Sequence, residues 1–205
     1  MKQILDKLKS KIKANKRLML FLCGISLTGL IFGSIFITII SKQDQSLIKS
    51  YIENFMNTVQ DGKLNYVDSI KNTLISNLSF VAVIWLLGIS IIGIPIIIFM
   101  YFTKSFMIGF SIASFVLKYK FKGLLYAIIY IFPHHFINLM IFTLLMIYSM
   151  KFSYYLANSI LKRKTMHFKN LMNPYLGVLI IVVVVVVATC MYETFAVPYF
   201  LKQIL

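Results

Sequence analysis

Five apolar blocks, at residues 18–40, 74–102, 105–117, 124–150 and 175–200, fill most of this 205-residue chain. A helix needs roughly 20 consecutive apolar residues to cross the hydrocarbon core of a bilayer. Four of the blocks are long enough; residues 105–117 stop short at Lys118. That block either crosses, with Tyr119 and Phe121 as interfacial anchors, or re-enters without crossing. The chain is 60% hydrophobic with a mean hydropathy of +0.85, so lipid is the solvent for most of it. The run Val182–Val187 has high strand propensity, but it lies inside a long apolar block. A backbone in lipid must satisfy its own polar groups, and a helix does so within one segment.

The expected fold is therefore all-α: a polytopic integral membrane bundle of about five transmembrane helices. Residues 18–40 supply the first and residues 74–205 the other four. Residues 1–17 form a basic amphipathic stretch, and residues 41–73 a helical segment outside the cytoplasm.

Charge sets the orientation. The chain carries 21 basic and six acidic residues, and seven of the basic ones lie in residues 1–17 with Asp6 as the only acid. Lys162, Arg163, Lys164 and Lys169 form the next cluster. The positive-inside rule puts both clusters in the cytoplasm and the C-terminus outside. Lys118, Lys120 and Lys122 then fall outside, against the rule. Juxtamembrane lysines meet anionic head groups, so the basic balance does not imply nucleic acid. The first block is too long for a signal peptide and no small-x-small site follows it; it reads as an uncleaved anchor. Ile4, Leu5, Leu8 and Ile12 give residues 1–17 an apolar face fit for the inner leaflet. Cys23 and Cys190 lie in different spans and read as small buried hydrophobes.

Residues 41–73 hold four basic and four acidic residues. Leu47, Ile48, Tyr51, Ile52, Phe55, Met56 and Val59 recur as the stripe of an amphipathic helix, with Ser46 as N-cap and Asp61-Gly62 as its stop. The stripe can face the outer leaflet, a second helix of the same segment or a partner. That second helix is patterned by Val67, Ile70, Leu74 and Leu78 and leads into the next span.

Three places within the spans depart from plain apolar sequence. Gly88, Gly93 and Pro95, near Trp85, mark a close-packed bend in the second block, either a hinge or a static kink. Pro133, His134, His135 and Asn138 place polar groups in the fourth block, with His134 and Asn138 on one helix face. Gly29 and Gly33 form a GxxxG, and Gly109 with Ala113 a looser version, for packing within the bundle or between copies. Glu193 is the one carboxylate near a span interior, and no spacing directs it to a histidine. Metal ligation lacks ligands, since His167 is remote. Phosphate loops, nucleophile elbows and paired carboxylates are missing too. No cofactor and no enzymatic activity are expected.

In their order along the chain, these residues resemble the stage II sporulation protein M family of endospore-forming bacteria. Asn77 precedes the glycine-rich bend of Gly88, Gly93 and Pro95; Lys104-Ser105 and Ile108-Gly109 follow; Pro133-His134 with Asn138 matches in part a Pro-His-Gly-x-x-Glu signature. Here His135 replaces the glycine and Asn138 the glutamate. The resemblance implies a non-enzymatic scaffold in the septal membrane between mother cell and forespore. It would anchor a peptidoglycan-degrading complex during septum thinning, membrane migration and engulfment. The implied partners are a lytic transglycosylase, stage II sporulation protein D, and an amidase/endopeptidase, stage II sporulation protein P. Leu47, Tyr51, Phe55 and Met56 are then the expected docking stripe. The competing class is a transporter or permease subunit, which would use bent spans carrying glycine, proline and histidine.

Overall fold

The computed structural model describes the backbone of residues 2–161 and 168–204, and side chains of residues 15–161 and 168–203. The face of Ile4, Leu5, Leu8 and Ile12, and the residues Lys162, Arg163, Lys164 and His167, lie outside the described side chains. The described residues form eight α-helices and one π-helical turn: α1 (Lys2–Ile39), α2 (Lys42–Gln60), α3 (Tyr66–Gly88), α4 (Gly93–Tyr119), α5 (Phe121–Tyr130), α6 (Phe132–Leu161), α7 (Phe168–Met191), the π-turn (Tyr192–Ala196) and α8 (Val197–Ile204). Five stretches are long and apolar enough to cross a membrane: Asn15–Ile39, Tyr66–Gly88, Gly93–Tyr119, Phe132–Leu161 and Phe168–Gln203. The chain is a multi-pass, all-helical membrane protein.

The second and third apolar blocks divide differently from the sequence expectation. The block at 74–102 is not one bent span. α3 ends at Gly88, residues 89–92 turn, and α4 begins at Gly93. A Cβ on Gly93 would overlap the Leu87 carbonyl, so the turn closes this tightly only with glycine there. Pro95 is the third residue of α4, not a kink. Its missing N–H falls in the first turn, where no intrahelical acceptor exists. Residues 105–117 are accordingly the second half of a 27-residue helix rather than a short or re-entrant block.

The fourth block also starts elsewhere. α5 runs up to Tyr130 and α6 resumes at Phe132, with Ile131 between them still near helical geometry. Pro133 removes one backbone donor at this join. The loss bends the path without ending it.

Helix starts follow short-range chemistry. Ser41, not Ser46, caps α2: its hydroxyl accepts from the Asp44 backbone N–H at 3.1 Å. The Ser46 hydroxyl instead donates to the Gln43 carbonyl. Asn65 caps α3 by accepting from the Asp68 N–H at 3.3 Å. Gly62, at φ +67°, lets the chain leave α2 and turn toward α3.

α1 packs along α4 over the longest shared length in the bundle. The glycines explain the approach. A Cβ on Gly33 would overlap the Phe106 carbonyl, and one on Gly109 the Leu30 carbonyl. One on Gly29 would stand 2.8 Å from the Phe102 carbonyl oxygen. The Ser34 hydroxyl, bonded mainly to Leu30, also reaches the Gly109 carbonyl at 3.2 Å. The three glycines are thus used inside the chain, between α1 and α4.

Two apolar cores result. One joins α1, α3, α4, α6 and α7 through Leu22, Ile84, Ile97, Phe142, Leu145 and Val182. The other closes the α2 end through Met56, Val59, Phe115, Tyr126, Val197 and Leu201.

Candidate functional site

The α2 end carries the segment expected to dock partners, and the structure divides its stripe. Met56 is 2% exposed and Val59 also 2%, both packed into the core of the α2 end. Phe55 lies against Tyr130 with ring centroids 5.1 Å apart. These residues cover α4, α5 and α8 of their own chain, not a second helix of residues 41–73. Met56 is therefore covered by its own chain, while Phe55 is half-buried beside it. Leu47 and Tyr51 point outward, at 49% and 70% exposed. Glu53 ties the same helix to α4 by accepting from Lys118 Nζ at 2.6 Å. The lysine trio that opposes the positive-inside rule thus has one member paired to α2. The turn between α4 and α5 centres on Lys120, which takes φ +54°.

At the other end, Gly88 meets α6 and α7. A Cβ there would overlap the Tyr175 hydroxyl and stand 2.9 Å from Ser149 Cα. That hydroxyl donates to the Trp85 carbonyl at 2.7 Å and lies 2.9 Å from Ser149 Oγ. Ser153 donates to the Ser90 carbonyl in the turn at 2.6 Å. These contacts join α3, α6 and α7 at this end, where Trp85 Nε1 is buried without a hydrogen-bond partner among the described residues.

Between the ends lies a buried polar cluster drawn from four helices and the π-turn. Asn77 stands eleven residues from each end of α3, counting 66 to 77 and 77 to 88. Its side chain accepts from Lys104 Nζ at 3.1 Å and donates to Thr73 O at 3.1 Å and toward Cys190 Sγ at 3.7 Å. Lys104 also lies 5.4 Å from the centre of the Phe80 ring. On α6, Asn138 Oδ1 accepts from Thr189 Oγ1 of α7 at 2.7 Å. One turn earlier, His134 Nε2 lies 3.4 Å from Glu193 Oε2 on the π-turn. His134 and His135 rings sit 4.1 Å apart. His134 is 1% exposed and Asn138 is 2% exposed.

Isolated charges in a low-dielectric interior are costly unless paired or hydrogen-bonded. Here an ammonium, a carboxylate and two imidazoles share one region of the bundle. Several atoms there have no hydrogen-bond partner among the described residues: both ring nitrogens of His134, His135 Nδ1, Asn138 Nδ2, Glu193 Oε2 and Thr194 Oγ1, so the 3.4 Å His134–Glu193 approach is not itself a hydrogen bond. No group of three His, Cys, Asp or Glu among the described residues is arranged to hold a metal ion. Beside the cluster, an apolar groove of about 550 Å³ runs between α6 and α7, lined by Pro133, Ile137, Val184, Ala188 and Tyr192.

Sequence reasoning placed Pro133, His134 and Asn138 at one site, and they are there. It did not join Gly88, Gly93 and Pro95 to it; those belong to the α3–α4 turn. It did not assemble Lys104, Asn77 and Glu193 with His134. The available signal was that each is a lone polar or ionisable residue within an apolar stretch. Spacing alone cannot bring residues 77, 104, 134 and 193 together. Cys190 is bonded within the cluster while Cys23 is exposed, and neither forms a disulfide.

The family model described as SpoIIM: Stage II sporulation protein M matches residues 18–198. That span takes in α1 from Leu18 onward, α2 to α7, the π-turn and the first two residues of α8. No curated protein and no solved structure matches the chain.

Proposed function

The chain belongs to the stage II sporulation protein M family, and from that premise we propose that it is a non-catalytic membrane anchor for a peptidoglycan-degrading complex. The complex acts in septum thinning, membrane migration and engulfment of the forespore. Its working members are a lytic transglycosylase, stage II sporulation protein D, and an amidase/endopeptidase, stage II sporulation protein P. The protein sits in the septal membrane with its N-terminus in the cytoplasm and its C-terminus, with α2, on the wall side.

One observation carries this reading best. α2 lies flat on the bundle, held by Met56, Val59 and the Glu53–Lys118 pair, and still turns Leu47 and Tyr51 outward. A helix with its inner face already covered needs no further folding to receive a partner. Preorganised surfaces of this kind lose little entropy on association. An anchor needs such a platform and needs no reacting groups.

The test is affinity purification of tagged protein from sporulating cells. Wild-type protein is expected to bring both hydrolases with it. The double variant Leu47→Asp, Tyr51→Asp should remain inserted at normal abundance and lose them. If the hydrolases still co-purify with that variant, the α2 platform is not the docking surface.

A further inference from the structure

Anchoring leaves the buried polar cluster without a task. We propose that it is an intramembrane proton-binding site, in which the Glu193 carboxylate and the His134 imidazole share one exchangeable proton and Lys104 is the fixed counter-charge.

The contacts carry this assignment. The one ionisable partner within 4 Å of the Glu193 carboxylate, among the described residues, is His134 at 3.4 Å. Lys104 gives its proton to the Asn77 carbonyl oxygen instead of forming a direct ion pair with Glu193. The carboxylate is therefore compensated at a distance and paired locally with a base. With His134 neutral, Lys104 and Glu193 together carry no net charge. A proton from water adds either to Oε2, forming an O–H bond, or to Nε2, forming an N–H bond. The two loaded forms, carboxylic acid with imidazole and carboxylate with imidazolium, have the same net charge. They interconvert by moving that proton between the two atoms; no other bond changes.

Three further features fit a proton and not a larger ligand. The neighbouring groove is lined by apolar side chains, so it accepts an acyl chain and offers a polar solute nothing. The atoms without a hydrogen-bond partner include both atoms of the contact, His134 Nε2 and Glu193 Oε2, so each is open to a proton. Glu193 also lies on a π-helical turn, a rare element that is frequent at functional sites. Ionisable side chains in spans commonly mark proton sites.

Other titratable groups face the pair from the surrounding elements. They are Lys104 from α4, Tyr130 from α5, His135 from α6 and Cys190 from α7. α8 contributes the apolar Val197 and Leu201.

The sequence supplies its own reporter. Its glutamates are Glu53 and Glu193 alone. In Glu53→Gln protein labelled with ¹³C at the glutamate side-chain carboxyl and placed in lipid nanodiscs, Glu193 gives the sole labelled signal. That signal is followed from about pH 4 to pH 10; it is expected to change in a single step, which His134→Asn should displace by about one pH unit or more. A signal unchanged across that range overturns the proposal. So does a step indifferent to His134→Asn. If that variant does not fold, Lys104→Gln takes its place: removing the counter-charge must displace the step, and indifference overturns the proposal equally.

Discussion

Gly33 of α1 lies against the backbone carbonyl of Phe106 on α4, with no room for a side chain between them. The same register brings Gly109 against Leu30 and Gly29 against Phe102. Gly33→Leu should therefore separate the two helices. Overpacking of this kind costs about 1–3 kcal/mol when side chains can yield, and a carbonyl yields less. Gly24→Leu is the control, because nothing lies within 4 Å of a Cβ at that position. Thermal unfolding in detergent should show a large loss for Gly33→Leu and little change for Gly24→Leu.

Phe55 and Tyr51 are one helical turn apart and answer to different forces. Phe55→Asp removes a half-buried ring from Tyr130 and puts a carboxylate in its place, and should destabilise the α2 end by about 1–3 kcal/mol. Tyr51→Asp changes an exposed position and should leave the unfolding temperature nearly unchanged. Limited proteolysis of residues 41–65 distinguishes the two: cleavage should accelerate only in Phe55→Asp.

The Glu53–Lys118 pair is short, at 2.6 Å, but Glu53 is about half exposed. Its contribution should stay below about 1 kcal/mol and fade with added salt. Glu53→Gln is expected to purify normally and to unfold within a few degrees of wild type. A large loss would mean that this pair, and not the Met56–Val59 face, holds α2 down.

Lys120 adopts φ +54° in the turn between α4 and α5. A side chain there is strained, by about 1–2 kcal/mol for left-handed backbone. Lys120→Gly should raise stability by on the order of 1 kcal/mol, read as a higher unfolding temperature in detergent.

Much of this architecture is legible in the sequence because lipid imposes so few solutions. Apolar length marks four crossings outright and leaves residues 105–117 open. Glycines at helical spacing mark where backbones can meet. The divisions between helices are less legible. Gly88 and Gly93 with Pro95 read equally as a bend within one span or as a turn between two. What settles it is that a proline near a helix start loses nothing, and that Gly93 permits the Leu87 carbonyl to come close. The α2 stripe shows where an apolar face exists, and not that α4, α5 and α8 cover it. The polar cluster is the least legible part. Lys104 and Glu193 are 89 positions apart, counting 104 to 193, and only the packing of α3 and α6 between α4 and the last span brings them to one region. The family signature has a glutamate where this chain has Asn138; the structure brings a carboxylate to the same region from Glu193 on the π-turn.

The turn at residues 89–92 is four residues long. A link this short lets the chain do one thing only: fold straight back, so that α3 and α4 descend side by side and antiparallel with Gly88 and Gly93 at the hairpin tip.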